Sequence, residues 1–451
     1  MISWNTIQSG PRHHILNILT LRKVLAPLLS GAMTALAFPV PGLSPLVWIS
    51  LIPLLYSIEG ASPRDAFRSG TVAGFTAYAA ILYWLVIVMT TYGHLPLLVS
   101  IPLWLSLAAF LGLFTGLASS VTAFAESRGI KSAFMLPVTW VACDYIRTYI
   151  FTGFPWGMLG HSQYRILPVI QISDITGVFG ITAIIVLANV VFYRIIRALS
   201  GSTVPYPAKS AVILVLSLAF TFWYGFHRLN TRPPETRPVK VALIQGNIDQ
   251  NAKWSPEYQQ ATLDIYTALT REAASREKPD LIVWPESAAP FFFQDDGPPS
   301  AQIRDLARNI DSYLLFGSPA AEQRGGRTAY LNSAFLLSRD GSVKGRSDKV
   351  HLVPFGEYVP MSKFLPFVNK LVHGIGDFVP GREIKPLMAG DTPIGVLVCY
   401  EAIFPDIARA HVNAGSRLLV NITNDAWFGR SSAPYQHLSR SEEHTSELQS
   451  R

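Results

Sequence analysis

The sequence predicts two joined folds: a polytopic α-helical membrane domain, then an α/β domain of alternating strands and helices. Three observations carry this. Residues 69–125, a run of 57, contain no Asp, Glu, Lys or Arg. The whole net charge of +7 sits in the first half of the 451-residue chain. From residue 239 onward, short apolar runs alternate with amphipathic ones, as in layered α/β domains.

A charge-free run of that length is enough for two bilayer crossings, with Tyr92-Gly93-His94-Leu95-Pro96 as the turn between them. Further apolar spans lie near 24–40, 43–58, 133–150, 175–193 and 210–226, which gives seven crossings before residue 227. The composition agrees, with 49% hydrophobic and 15% charged residues. Residues 1–227 hold 12 Lys/Arg and 5 Asp/Glu, while the remainder holds 25 of each. Ten of the twelve cations fall in alternate loops: Arg12, Arg22 and Lys23; Arg64 and Arg68; Arg128 and Lys131; Arg194, Arg197 and Lys209. This positive-inside pattern puts the N-terminus in the cytoplasm and, after an odd number of crossings, the domain from Arg228 outside. The basic balance reports topology and gives no indication of nucleic acid. Asp144 and Arg147, one turn apart near the outer end of a span, read as a structural pair or a headgroup contact.

Pro233-Pro234 and Pro238 mark a linker. Val239–Gln245 then reads as a strand, and 256–276 as a helix with Leu263, Tyr266 and Leu269 on one side. Leu281–Trp284, Tyr313–Phe316, Tyr330–Leu337, Ile394–Val398 and Leu418–Ile422 read as further strands.

Three strand ends carry chemistry. Leu281-Ile282-Val283-Trp284-Pro285 delivers Glu286, Asp348 introduces Lys349, and Gly395-Val396-Leu397-Val398 delivers Cys399, followed by a helix-like Glu401–Phe404. A thiol at a strand-to-helix turn can lie near a helix N-terminus, where backbone N–H groups favour thiolate. A free cysteine, with a pKa of about 8.5, is only slightly ionised at neutral pH. A neighbouring carboxylate can take its proton, and an ammonium can stabilise the thiolate and then an oxyanion. Each residue alone reads as buried filler, a solvated turn or a surface charge; together they read as a site. His351, His373, His411 and His437 could pair with the thiol, but none sits at a comparable strand end. Two cysteines cannot build a disulfide framework, and Cys143 lies in an apolar span. No zinc motif or Gly-rich phosphate loop is present, and no cofactor is expected.

In that order, Glu286, Lys349 and Cys399 resemble the triad of the nitrilase superfamily. With the membrane half included, the chain resembles the bacterial apolipoprotein N-acyltransferase family. The matching words are Gln245-Gly246-Asn247-Ile248 with Lys253-Trp254, Trp284-Pro285-Glu286-Ser287, Asn332, Asp348–Glu357, Cys399-Tyr400-Glu401 and Asn424–Gly429, together with Thr152–Trp156 in the membrane half. They run from about residue 20 to about 438. The resemblance implies a membrane domain over 1–227 and a nitrilase-like α-β-β-α sandwich over 228–438. It implies a ping-pong reaction at the outer face of the bacterial inner membrane. A phospholipid acyl group, usually from phosphatidylethanolamine, passes through a cysteine thioester to the α-amine of a diacylglyceryl-cysteine apolipoprotein. Cys399 is then the nucleophile, Glu286 the general base and Lys349 the oxyanion stabiliser. Glu357 is a second essential carboxylate by the same resemblance, able to pair with Lys349 or to be an exposed loop charge. Tyr400 and Glu401 support the pocket. Trp254 resembles a mobile-loop aromatic that meets lipid chains, with ordinary packing as its alternative. Asn332 reads as a pocket hydrogen-bonder or a strand-edge amide. The competing functions are a membrane-tethered amidase, which needs only one anchor, and a polytopic transporter or binding protein, disfavoured by its few intramembrane charges.

The family words stop at Tyr435-Gln436-His437-Leu438. Arg440–Ser450 back-translates, with suitable codons, to a common sequencing-adapter sequence, so 439–451 is expected to be an assembly artefact. The resemblance then implies that the end of the nitrilase-like domain and a last membrane helix are absent. The chain as written is expected to be an unstable, inactive remnant even though all three triad residues survive.

Overall fold

The computed structural model describes residues 21–231, 238–359 and 378–439. Arg12, the Pro233-Pro234 linker, His373 and the tail from Arg440 lie outside them. The described chain forms two compact units, one of residues 21–84 with 101–231, the other of 85–100 with the residues after the linker.

The first unit is helical: α1 (Ala26–Leu36), α2 (Ile52–Ile58), α3 (Pro63–Ile81), α4 (Leu97–Ser127), α5 (Ser132–Tyr149), α6 (Ser173–Leu199) and α7 (Ala208–Asn230). The start of α3 follows from its sequence. Pro63 occupies the first turn, where no amide hydrogen is needed, and Ser62 Oγ accepts the Asp65 N–H at 3.1 Å. Small residues let α3 and α4 touch backbone to backbone. A Cβ on Gly74 would lie 2.8 Å from Gly112 Cα, and one on Gly112 would lie 2.7 Å from Phe75 N. Gly70 and Gly116 extend this seam one turn toward the start of α3, the small-xxx-small pattern of packed apolar helices.

Among the described residues three helices, α4, α6 and α7, are long and apolar enough to cross a membrane, or four if α3 and the 48°-bent helix after it form one span. The other expected spans fall on shorter or interrupted helices. The 43–58 span is a 3-10 turn (Ser44–Trp48) broken from α2, and Asn189 of α6 repairs the break. Its amide donates to Val47 O at 2.9 Å and accepts from Leu51 N at 2.8 Å. A break in an apolar setting needs such a partner because no water reaches it. Asp144 and Arg147 form a buried pair at 2.8 Å, and Arg147 also donates to Trp156 O at 2.6 Å, so the structural reading of that pair holds.

The basic loops are tied to one another: Arg197 pairs with Glu59 at 3.1 Å, Arg22 donates to Tyr56 O at 3.0 Å, Lys23 meets Asp65 at 3.6 Å, and Arg194 meets Glu126 at 3.2 Å.

The second unit holds two sheets. β1 (Val241–Leu243), β2 (Leu281–Val283), β3 (Tyr313–Arg324), β4 (Arg327–Leu337) and β5 (Val343–Asp348) form the first in that order, parallel from β1 to β3 and antiparallel from there. β6 (Leu387–Ala389), β7 (Thr392–Val398) and β8 (Leu418–Ile422) form the second, with β7 parallel to β8. Leu281, Val283, Leu315 and Leu336 of the first sheet meet Ile394, Val396, Val398 and Ile422 of the second. The other face of the first sheet is covered by α9 (Pro256–Glu277) and α10 (Pro298–Asn309), through Leu263, Tyr266, Ile303 and Leu306. These two follow the single turn α8 (Gln250–Lys253). α11 (Pro405–Asn413) follows β7 and buries Ala408 and His411.

The strands differ from the expectations in informative ways. β3 and β4 extend to a two-residue turn at Gly325-Gly326, both with positive φ, where paired strands twist most easily. Their polar ends, such as Glu322-Gln323-Arg324, hide this in the sequence. β5, Val343-Lys344-Gly345-Arg346-Ser347-Asp348, is an edge strand with little apolar content and was not expected. β1 is shorter than Val239–Gln245, and Cys399 opens a 3-10 turn (Cys399–Ile403) in place of the expected helix-like run.

Candidate active site

Each of the three strand ends is fixed by local packing. β2 is buried throughout, and Trp284 anchors its exit by donating from Nε1 to Thr270 Oγ1 at 2.8 Å and stacking on Tyr266. The chain then turns sharply, with Ser287 at φ +51°, and presses onto β3. A Cβ at Gly317 would lie 2.5 Å from Ser287 N and 2.7 Å from Glu286 Cα, so only glycine lets the Glu286 turn lie there. Lys349 directly follows β5 and continues its ladder, donating its N–H to Asn332 O at 2.8 Å. Cys399 directly follows β7 at φ +54°, a left-handed conformation that non-glycine residues seldom adopt without a purpose.

These positions bring Glu286, Asn332, Lys349 and Glu357 together. The Asn332 amide nitrogen donates to Glu286 Oε1 at 2.7 Å and to Glu357 Oε1 at 2.8 Å. Lys349 Nζ lies 3.0 Å from Glu357 and 3.7 Å from Glu286. Glu357 is therefore no exposed loop charge; it holds the ammonium, and Val353 N–H holds its other oxygen at 2.7 Å. Burial works to lower the Lys349 pKa, but Glu357, then Glu286, overcome it and hold the group firmly charged.

Glu401 spans the gap between two strand ends. Its Oε2 accepts Val398 N–H at 2.7 Å, and its Oε1 accepts Val350 and His351 N–H at 2.6 and 3.0 Å. Burial pushes its carboxyl up to about 7 against these donors. Tyr400 packs edge-on against Phe404, and burial pushes its phenol up.

Burial, then the Glu286 charge, push Cys399 well above the ordinary range, against the pull of Lys349 and a hydrogen bond with Thr423. One short turn does not offset that desolvation. His437 approaches the Cys399 carbonyl, 3.2 Å from Nε2, and Asp425, 3.1 Å from Nδ1. It braces the backbone of the turn. His351 packs tilted against Phe404 with ring centroids 4.0 Å apart, and His411 is buried on α11.

Sequence reasoning gave no role to several residues that the structure places here. Lys253 is buried and donates from Nζ to the Glu286 carbonyl at 3.1 Å; burial pushes its amine down to about 8. Gln250 accepts from Asn424 Nδ2 at 2.6 Å, and Asn424 N–H donates to Glu286 Oε2 at 3.1 Å. Their only sequence signal was company: Lys253 precedes Trp254, and Asn424 opens Asn424–Gly429. Trp254 is half-buried just after α8. Among the described residues no group of three or more His, Cys, Asp or Glu could hold a metal ion.

Residues 240–449, which carry both packed sheets, match the family described as Carbon-nitrogen hydrolase. Residues 30–191 match the Apolipoprotein N-acyltransferase N-terminal domain. The chain is 56% identical over 419 residues to an apolipoprotein N-acyltransferase of Geobacter metallireducens, covering 93% of this chain and 80% of that one. It is 31% identical over 414 residues to that of Nitrosomonas europaea, covering 91% and 79%. The chain belongs to the apolipoprotein N-acyltransferase family. Among solved structures, a carbon–nitrogen hydrolase from Helicobacter pylori G27 aligns with 41% of this chain and 59% of its own at 20% identity and a TM-score of 0.30.

Proposed function

We propose that this protein is an N-acyltransferase that moves a phospholipid acyl chain, through a thioester on Cys399, to the α-amine of the diacylglyceryl-cysteine of apolipoproteins. The observation that carries this is the 56% identity sustained over 93% of the chain, through both the helical and the α/β halves. The charge arrangement at the site suits the chemistry. Glu286 takes the thiol proton as sulfur attacks an ester carbonyl. Lys349, held by Glu357, stabilises the oxyanion. Collapse expels the lysophospholipid alkoxide, which takes the proton from Glu286. In the second half the acceptor amine attacks the thioester, Glu286 takes its proton, and the expelled thiolate recovers it. Asn332 and Glu401 act through these groups as positioning residues, Tyr400 packs the pocket wall, and Trp254 meets the lipid.

We assign residues 1–227 to the membrane and 228–438 to a periplasmic α-β-β-α sandwich. The ion pairs that tie the basic loops together support a cytoplasmic N-terminus in the bacterial inner membrane, and the two facing sheets under α9, α10 and α11 support the sandwich. Phosphatidylethanolamine is the proposed donor. Both substrates are lipid-anchored, and lifting acyl chains from a bilayer costs about 0.8 kcal/mol per CH2, so a site beside the leaflet removes a prohibitive step.

The test is acyl trapping. Incubation with phospholipid should add an acyl mass to Cys399, lost in Cys399→Ala and kept in Cys143→Ala. Release of ammonia from small amides with no adduct would point to a tethered amidase.

A further inference from the structure

The parallel ladder between β7 and β8 ends at the pair Val398 and Ile422, so the next residues, Cys399 and Thr423, leave the sheet side by side. The Thr423 side chain is hydrogen-bonded to the Cys399 sulfur, and its hydroxyl donates to Asp425 Oδ1 at 3.0 Å. The same carboxylate oxygen lies 3.1 Å from His437 Nδ1, and His437 Nε2 lies 3.2 Å from the Cys399 carbonyl. Four residues thus close a ring that starts at the Cys399 sulfur and returns to the Cys399 carbonyl. His437, which completes it, is buried. Within the same segment Asn424 donates its N–H to Glu286 Oε2 at 3.1 Å, so residues 423–425 reach both the thiol and the base. A hydroxyl has one proton to donate and two lone pairs that accept. With sulfur protonated, the S–H can point at Thr423 Oγ1 while the hydroxyl proton stays on Asp425. A thiolate only accepts, so it reverses the demand: the hydroxyl turns to sulfur, and Asp425 keeps the His437 ring.

We propose that Thr423 is a further catalytic residue, whose hydroxyl turns from Asp425 to donate to the Cys399 sulfur whenever that atom carries negative charge. This rests on the acyltransferase reading above and gives the sulfur a partner that the roles of Glu286 and Lys349 leave out. In the second half-reaction the C–N bond forms and the C–S bond breaks. The electron pair stays on sulfur, and the amine proton goes to Glu286. Until Glu286 returns that proton, the Thr423 hydrogen bond holds the charge on sulfur, and Thr423 itself loses no proton. The same bond forms in the first half as sulfur gives up its proton to Glu286. Hydrogen bonds to an ionised acceptor are about twice as strong as neutral ones, so the gain appears only while the charge is present. Asp425 and His437 are positioning residues here: one keeps the hydroxyl within reach, the other holds the left-handed Cys399 turn by its carbonyl.

The test uses the full chain carrying Cys143→Ala, which leaves one thiol. Alkylation of Cys399 by iodoacetamide at neutral pH reads the available thiolate without any turnover. Thr423→Val and Thr423→Ala remove the donor at two side-chain sizes, and Thr423→Ser keeps it. Rates are compared among variants whose thermal unfolding midpoints match the parent's. The expected result is alkylation roughly tenfold slower in Thr423→Val and Thr423→Ala, recovered to within about threefold in Thr423→Ser. The same loss should recur when Thr423→Val is made in an Asp425→Asn background. A loss confined to chains that keep Asp425 would mean that the hydroxyl only masks that carboxylate, and it overturns the proposal. Rates within about twofold of the parent, or Thr423→Ser as slow as Thr423→Val, overturn it as well. Single-turnover acylation by phosphatidylethanolamine should fall in the same order. Its absence from the parent, with the alkylation pattern intact, would reject the acyltransferase reading and leave Thr423 as the donor to sulfur.

Discussion

Glu286 and Glu357 share one amide nitrogen, that of Asn332, at 2.7 and 2.8 Å. Two carboxylates are thus drawn to one point, where their repulsion is relieved by this donor and by the Lys349 ammonium. The amide is a hinge pin of the site's electrostatics, and its chemistry is hard to replace.

Asn332→Asp tests this directly. The substitution keeps shape but exchanges the shared donor for a third carboxylate. Hydrogen bonds to charged groups are worth about 1.5–3 kcal/mol each, so single-turnover acylation of Cys399 should slow by roughly a hundredfold or more. A rate within fivefold of the parent would show that the two carboxylates need no common partner.

Glu401→Gln probes the brace between Val398 and the Val350–His351 turn. The amide keeps one acceptor oxygen but sets an NH2 against a backbone N–H, and acylation should fall roughly tenfold. The parent should also show a pH signature. The folded carboxyl titrates near 7, above its value in the unfolded chain, so its contribution to stability is full below about 4.5 and fades as pH rises through about 7. Denaturation midpoints between pH 5 and pH 8 should fall in the parent and stay flat in Glu401→Gln.

Lys253→Met addresses the opposite case. The folded amine titrates near 8 and the unfolded one near 10.5. The unfolded chain therefore holds more protons between those values, and stability should rise with pH from about 8 to about 10. The same melting series on Lys253→Met should lose that rise. An unchanged slope would mean that the amine is solvated in solution.

Gly317→Ala should act through backbone alone. Its Cβ would meet Ser287 N at 2.5 Å and Glu286 Cα at 2.7 Å, which forces the Glu286 turn away from β3. A stability loss of about 1–3 kcal/mol is expected, with acylation reduced further than that loss explains. Paired thermal unfolding and acylation assays would separate the two effects.

The ends of β2 and β7 were legible in the sequence because Leu281–Val283 and Ile394–Val398 are apolar runs that stop at a residue with chemistry. Lys349 was found through its neighbours only, since the strand that carries it, Val343–Asp348, is polar and lies at a sheet edge. Gln250 and Asn424 escaped notice because they meet across 174 residues, and an amide pair has no periodicity. The interruption at Ile49–Leu51 was equally hidden. Its repair comes from Asn189, which in sequence is one polar residue in an apolar helix.

The burial that raises the Cys399 thiol pKa has a chemical consequence. Peroxide and disulfide exchange both attack through the thiolate, so a cysteine that stays neutral is a poor target for either. A raised thiol pKa therefore slows attack by oxidants on Cys399. Such a thiol can stay unpaired in an oxidising compartment without a partner cysteine to protect it.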